Sequence, residues 1–196
     1  MQGNINDYKK SIYEIGLPKD LESIIWDFYV ARSFASSASQ KRVVKDFKIK
    51  QIPFKQMMRK ARITDDNCKI LTCTTMKKAL ADLNLEVEGK DESSKKTTIE
   101  IDFDIPRICC LQPFTVNEDI KVTARGSQAD CILTHIRNAL AHGNTYFFDN
   151  GNVLLEDKDG SKVTARILIA VESLIDWIKL IDSSHIVYPE LFKKSE

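Results

Sequence analysis

Arg137, Asn138 and His142 lie within the run Thr134-His135-Ile136-Arg137-Asn138-Ala139-Leu140-Ala141-His142-Gly143-Asn144. These residue types could together cleave a phosphodiester without a metal. A guanidinium is a permanent cation whose planar fork of donors suits phosphate. A carboxamide both donates and accepts, and so can orient a neighbour. An imidazole titrates near neutrality and can take a proton in one step and return it in the next. No other segment of the chain carries comparable chemical content.

The element that must position them reads as a helix stopped by Gly143. Ser127 is suited to its N-cap and Asp130 falls at the third helical position, a capping box with Asp in place of Glu. Ile132, Leu133, Ile136, Ala139 and Leu140 form the inward stripe. At about 100° per residue, Arg137 and His142 are offset by roughly 140° and flank that stripe on opposite sides. One straight helix therefore does not bring them together; a bent end at Gly143 or a second copy of the helix across a two-fold axis would. Asn138 and His142, four apart, share a face, and that pairing would orient the imidazole. The plain structural alternative is a surface cation on a helix flank and a His-Gly end that satisfies the last carbonyls.

Other elements follow from periodicity. Pro18 suits the first turn of a helix carrying Leu21, Ile24, Ile25 and Phe28 inward. Val43, Val44 and Phe47 suggest a short basic helix and residues 54–61 another, with a break between 33 and 40. A further helix is expected from about Asn67 to Asp82, capped by Asp65 or Asp66. Residues 86–98 are charged and read as a mobile loop. Residues 99–105 alternate apolar and acidic, as a short strand would. Residues 145–155 read as a β-hairpin turning at Asn150-Gly151, since both residues tolerate positive φ, and 157–160 closes it. Residues 163–181 read as the best amphipathic helix, with Ile167, Ala170, Val171, Leu174, Ile178 and Ile181 on one face. The expected fold is mainly α: a single-domain helical bundle over 1–196 with one small β-hairpin after the motif helix, its core in 127–182.

The 196 residues carry 29 Lys and Arg against 28 Asp and Glu, so net charge names no partner. Distribution says more. Lys41, Arg42, Lys45, Lys48, Lys50, Lys55, Arg59, Lys60 and Arg62 crowd a stretch whose only acid is Asp46. It is either a solvated face or a phosphate-tracking patch that would guide RNA. The polar N-terminus has no signal-peptide pattern and no segment has the length of a membrane span, so a cytoplasmic location and no membrane partner are expected. Five cysteines without a CxxC pair argue for reduced, buried thiols. His135 projects to the same side as His142 and, with Asp130, offers metal donors, but no third ligand has suitable spacing; no metal and no cofactor are expected. Cys131 and the Cys109-Cys110 pair show no adjacent base, so a thiol nucleophile is not expected either.

Arg137-Asn138-x-x-x-His142 at a helix end, followed by an aromatic strand, an Asp-Asn-Gly-Asn turn and a helix ending Leu-Ile-Asp-Trp-Ile, resembles the HEPN superfamily, in particular bacterial families of plasmid and mobile-element origin. The resemblance is concentrated in residues 127–182. It implies a homodimeric, metal-independent endoribonuclease acting as a toxin or phage-defence effector, with an antitoxin or defence-system partner. It implies that Arg137 holds the scissile phosphate, that His142 is the general acid or base, and that Asn138 orients His142 or the phosphate. Products would carry 2′,3′-cyclic phosphate and 5′-hydroxyl ends. Asn144 stands where some HEPN toxins carry a tyrosine that a partner modifies. Other members of the superfamily are non-catalytic dimerisation or RNA- or protein-binding modules, the alternative the resemblance also allows.

Overall fold

The computed structural model describes residues 17–31, 54–72, 86–88, 96–98, 105–112, 114–116, 122–124, 126–148, 150–160 and 162–182. Among them are four α-helices: α1 (Lys19–Trp26), continued by a π-helical turn (Asp27–Ala31), α2 (Phe54–Lys60), α3 (Gln128–Ala141) and α4 (Val171–Ile181). Nine strands accompany them: β1 (Cys68–Thr72), β2 (Glu86–Glu88), β3 (Lys96–Thr98), β4 (Arg107–Gln112), β5 (Phe114–Val116), β6 (Val122–Ala124), β7 (Thr145–Phe147), β8 (Asn152–Asp159) and β9 (Lys162–Ala170).

Five strands form one mixed sheet in the order β1-β4-β9-β8-β7. Only β1 and β4 are parallel; β4–β9, β9–β8 and β8–β7 are antiparallel. The expected mainly helical bundle is therefore wrong: this is an α/β fold built on a mixed sheet. The error has a local cause. Residues 163–181 are not one helix but strand β9 followed at Val171 by α4. Val163, Ala165, Ile167, Leu168 and Ile169 are all buried, and β9 is interior to the sheet, between β4 and β8. The run Ile167-Leu168-Ile169-Ala170-Val171 at the strand's end is continuously apolar and fits either period. Its β-branched Val163, Thr164, Ile167 and Ile169 favour the extended form.

Two other expectations change for similar reasons. The helix expected from Asn67 is preceded by a 3-10 turn (Asp65–Asn67) and replaced at its start by β1; residues 73–82 lie outside the described set. The ends of the expected loop 86–98 pair as antiparallel strands, Glu86 opposite Thr98. The hairpin is where the turn residues put it, with Thr145 opposite Leu155 and Gly151 at φ +82°. Its second strand runs on to Asp159 and turns at Gly160 into β9. The expected basic helix at 43–47, the break at 33–40 and residues 99–104 of the expected strand lie outside the described residues.

The helices cover one face of the sheet. α3 packs on β8, β4 and β9, the π-helical turn packs on α3, and α2 packs on α4 and α3. Leu21, Phe28, Met57, Ile108, Ile132, Ile136, Leu155, Ile167, Leu174 and Trp177 meet in the resulting core, each at most 1 % exposed. Full burial of side chains this size stabilises by roughly 1.5–3 kcal/mol each. Two buried polar tips fix how the helices lie. Tyr29 Oη donates to the Leu174 carbonyl and Trp177 Nε1 to the Met57 carbonyl, both at 2.8 Å. Partners of this kind are what allow the two amphipathic rings to be buried whole. On the opposite sheet face Arg166 donates to Glu156 from the adjacent strand.

Candidate functional site

Helix α3 begins as its sequence requires. Ser127 Oγ accepts from the Asp130 amide at 3.2 Å, and Asp130 Oδ2 accepts from the Ser127 amide at 2.9 Å. The reciprocal bonds satisfy amides that a helix start leaves unpaired. The helix ends in a Schellman motif: the Gly143 amide donates to the Leu140 carbonyl at 3.1 Å and the Asn144 amide to the Ala139 carbonyl at 2.9 Å, with Gly143 at φ +69°. His142 is the C-cap and is exposed. The Asn144 carbonyl then accepts from the Glu156 amide at 2.9 Å, tying the turn to β8.

Arg137 and Asn138 are half-buried one turn earlier. Arg137 Nη1 donates to Asn138 Oδ1 at 2.9 Å, and Asn138 Nδ2 donates to Asp157 Oδ2 at 3.0 Å. The same carboxylate oxygen meets His135 Nδ1 at 2.7 Å, and His135 Nε2 lies 3.0 Å from the Leu111 carbonyl oxygen. A continuous polar chain thus runs from Arg137 inward to the sheet. Arg137 Nε is buried and has no hydrogen-bond partner among the described residues.

Two expectations about these side chains are corrected. Asn138 does not orient His142; its amide group spans Arg137 and Asp157. Cys131, His135 and Asn138 are spaced four and then three apart and form one stripe facing the sheet, where Asn138 meets Asp157 of β8. Nor does His135 share the surroundings of His142. His135 is 7 % exposed beneath the helix, whereas His142 lies beyond the last regular turn in solvent. Among the described residues no hydrogen bond joins the side chain of His142 to that of Arg137 or Asn138.

The stripe meets a matching row on the sheet. Cys110 of β4 is opposite Ala165 of β9, and Ala165 is opposite Asp157 of β8. Cys110 and Asp157 therefore share the face under α3, with the small Ala165 between them. Cys110 Sγ lies 3.5 Å from Cys131 Sγ, and Cys131 Sγ lies 3.6 Å from the Leu111 carbonyl oxygen. The bond from Cys110 lowers the Cys131 thiol from 9.0 to about 6, helped by the hydrogen bond and charge of His135 and opposed by burial. Burial pulls His135 down, but Asp157, Cys131 and the Leu111 carbonyl together outweigh it and raise the imidazole from 6.5 to about 10. Cys110 is pushed well above the usual thiol range because it donates its own proton to Cys131 and is buried. Together these shifts favour passing the Cys131 proton to His135 within the buried row.

The sequence carried one legible signal for this row, Cys131 and His135 at helical i, i+4 spacing. Cys110 and Asp157 sit on separate strands and have no local signature. Of the basic residues, Lys55, Arg59, Lys60 and Arg62 are exposed on and just after α2; Lys41, Arg42, Lys45, Lys48 and Lys50 lie outside the described residues. Beside the helix end, Ile25 and Trp26 of α1, Leu140 and Gly143 of α3, and Thr145 and Phe147 of β7 line a cleft of about 370 Å³. Trp26 is 52 % exposed there. No described helix is long and apolar enough to cross a membrane. Comparison with protein-family models, with curated proteins and with solved structures gives no match to the chain.

Proposed function

We propose that the end of α3 is the active site of an endoribonuclease that needs no metal for its chemistry. Because the mixed sheet departs from the helical bundle expected from periodicity, support comes from the side chains themselves. The observation that carries the proposal is the bracing of Arg137. Asn138 holds its guanidinium at 2.9 Å and is itself held by Asp157 at 3.0 Å. Donors fixed in advance of the reaction stabilise developing phosphate charge without reorganising. Arg137 would bind the scissile phosphate. The exposed imidazole of His142 would exchange a proton with the ribose 2′-hydroxyl or the leaving 5′-oxygen, giving 2′,3′-cyclic phosphate and 5′-hydroxyl ends. Asn138 is a positioning residue for Arg137.

The adjacent cleft supports a nucleic-acid substrate. Its exposed Trp26 offers a face on which one base can stack, a contact worth about 1–3 kcal/mol per base. Exposed Lys55, Arg59 and Arg62 would attract the backbone. A second subunit, related by a two-fold axis through the ends of α3, would supply the group facing each Arg137 that one helix does not. The setting would be the cytoplasm, where a toxin or phage-defence effector of this kind is controlled by a partner protein.

The test is cleavage of an RNA panel without added divalent ions. His142→Ala should lose about 100-fold or more in rate, Arg137→Ala a similar amount, and wild-type products should carry cyclic phosphate ends. Equal rates in wild type and His142→Ala, or no cleavage of any RNA by wild type, would overturn the assignment. A non-catalytic binding module is favoured by one fact only, that Arg137 is already engaged within its own chain. It predicts that Arg137→Ala alters stability or RNA retention and no chemistry.

A further inference from the structure

We propose that Cys110, Cys131 and His135 form a buried structural site for one zinc ion. The ligand atoms of these three residues all lie within 4.8 Å of one another, and they come from two elements, β4 and α3. Zinc takes thiolate sulfur at about 2.3 Å and imidazole nitrogen at about 2.0–2.1 Å in tetrahedral sites. That geometry sets two sulfurs roughly 3.8 Å apart; here they are 3.5 Å apart. Side-chain shifts of about an ångström or less complete it.

Three further features fit the ion. The Leu111 carbonyl oxygen lies 3.0 Å from His135 Nε2 and 3.6 Å from Cys131 Sγ, on the side where a fourth ligand belongs. Asp157 Oδ2 sits 2.7 Å from His135 Nδ1, the outer-shell arrangement that fixes a metal-binding imidazole with Nε2 toward the ion. The soft sulfur and imidazole set selects zinc over magnesium or calcium. Binding exchanges the ion for the Cys110 thiol proton and the His135 Nε2 proton; no covalent bond between heavy atoms changes and no oxidant is required.

Other uses of the same residues fit less well. A thiol nucleophile needs substrate access, yet Cys110 is 0 %, Cys131 2 % and His135 7 % exposed. A disulfide would use two of the three groups and leave His135 and its Asp157 bond without a role.

The experiment is a titration of metal-stripped, fully reduced full-length protein with Co²⁺. One equivalent should produce tetrahedral d–d bands and a thiolate-to-cobalt charge-transfer band, and one equivalent of Zn²⁺ should abolish both. Cys110→Ser and Cys131→Ser should each lose the charge-transfer intensity or the saturable binding. Cys109→Ser, on the opposite face of β4, should titrate like wild type. The wild-type titration decides the matter even if a variant fails to fold. Absence of a saturable tetrahedral spectrum in wild type overturns the site, as does a wild-type spectrum in folded Cys110→Ser or Cys131→Ser. Protein purified without metal and short of two titratable thiols until reduced would instead show a redox pair and overturn it as well. None of these readouts depends on RNA cleavage.

Discussion

Asn138 and His135 share one acceptor: Asp157 Oδ2 lies 3.0 Å from Asn138 Nδ2 and 2.7 Å from His135 Nδ1. A half-exposed surface pair and a buried cluster therefore meet at a single atom. In metal-free protein, Asp157→Asn keeps the shape and removes the charge, stranding a protonated imidazole in the interior. Breaking a buried pair in this way should cost about 3–5 kcal/mol, read as a lower urea midpoint. Asn138→Ala removes a neutral partner and should cost about 1–3 kcal/mol. On the proposed ribonuclease reading it should also lower kcat for RNA cleavage about tenfold through a less fixed Arg137, at a free-energy cost of about 1.4 kcal/mol. Equal destabilisation by the two variants would contradict the charged state of His135.

In metal-free protein the same row dictates a pH response. Cys131 is depressed from 9.0 to about 6 by its bond from Cys110 and by His135. It therefore adds stability that is present above pH 9 and lost as pH falls through 6. His135 is raised from 6.5 to about 10 despite burial, by Asp157 and Cys131. It adds stability that is present below 6.5 and lost as pH rises through 10. Between roughly 6.5 and 9 the two trends oppose, because folding moves a proton from thiol to imidazole with no net uptake. Wild-type stability should be nearly flat in that window. Cys131→Ser removes the rising trend, so its stability should fall as pH rises. Urea unfolding across the window distinguishes the two, and parallel curves would refute the pairing.

Gly143 sets where His142 stands. Its φ is +69° and a Cβ placed there meets nothing within 4 Å, so only the backbone conformation resists substitution. Gly143→Ala should cost about 1–2 kcal/mol and Gly143→Asn less, because Asn enters the left-handed region more readily. Thermal unfolding midpoints of the two variants provide the check; a larger loss for Asn would mean that the turn is not what is being strained.

Features written in consecutive residues were legible in the sequence. The Ser127–Asp130 box, the stop at Gly143 and the Asn150-Gly151 turn are each decided by a few adjacent side chains, and all three are present. The sheet was not legible, because the apolar end of β9, Ile167 to Ala170, runs straight into α4. Its residues satisfy a helical stripe as well as an alternating strand. The buried cluster was missed: Cys131 was expected to have no adjacent base, although His135 stands one turn on at i, i+4, and only strand register brings Cys110, Ala165 and Asp157 into one row. Asn138 could be assigned to a helix face but not to Asp157, since the strand opposite it had not been recognised at its full length.

The order of strands in the sheet has a kinetic consequence. β7, β8 and β9 form a meander whose pairings are local, and α3 immediately precedes it. Loops of this kind close quickly, while pairings between distant segments wait on a larger entropy cost. Cys131, His135, Asn138 and Asp157 can thus come together early in folding, from one contiguous stretch. Cys110 joins only when β4 docks against β9, a non-local step. The 3.5 Å approach of the two sulfurs consequently marks the docking of β4, and a probe of that distance would time this non-local step rather than the formation of the meander.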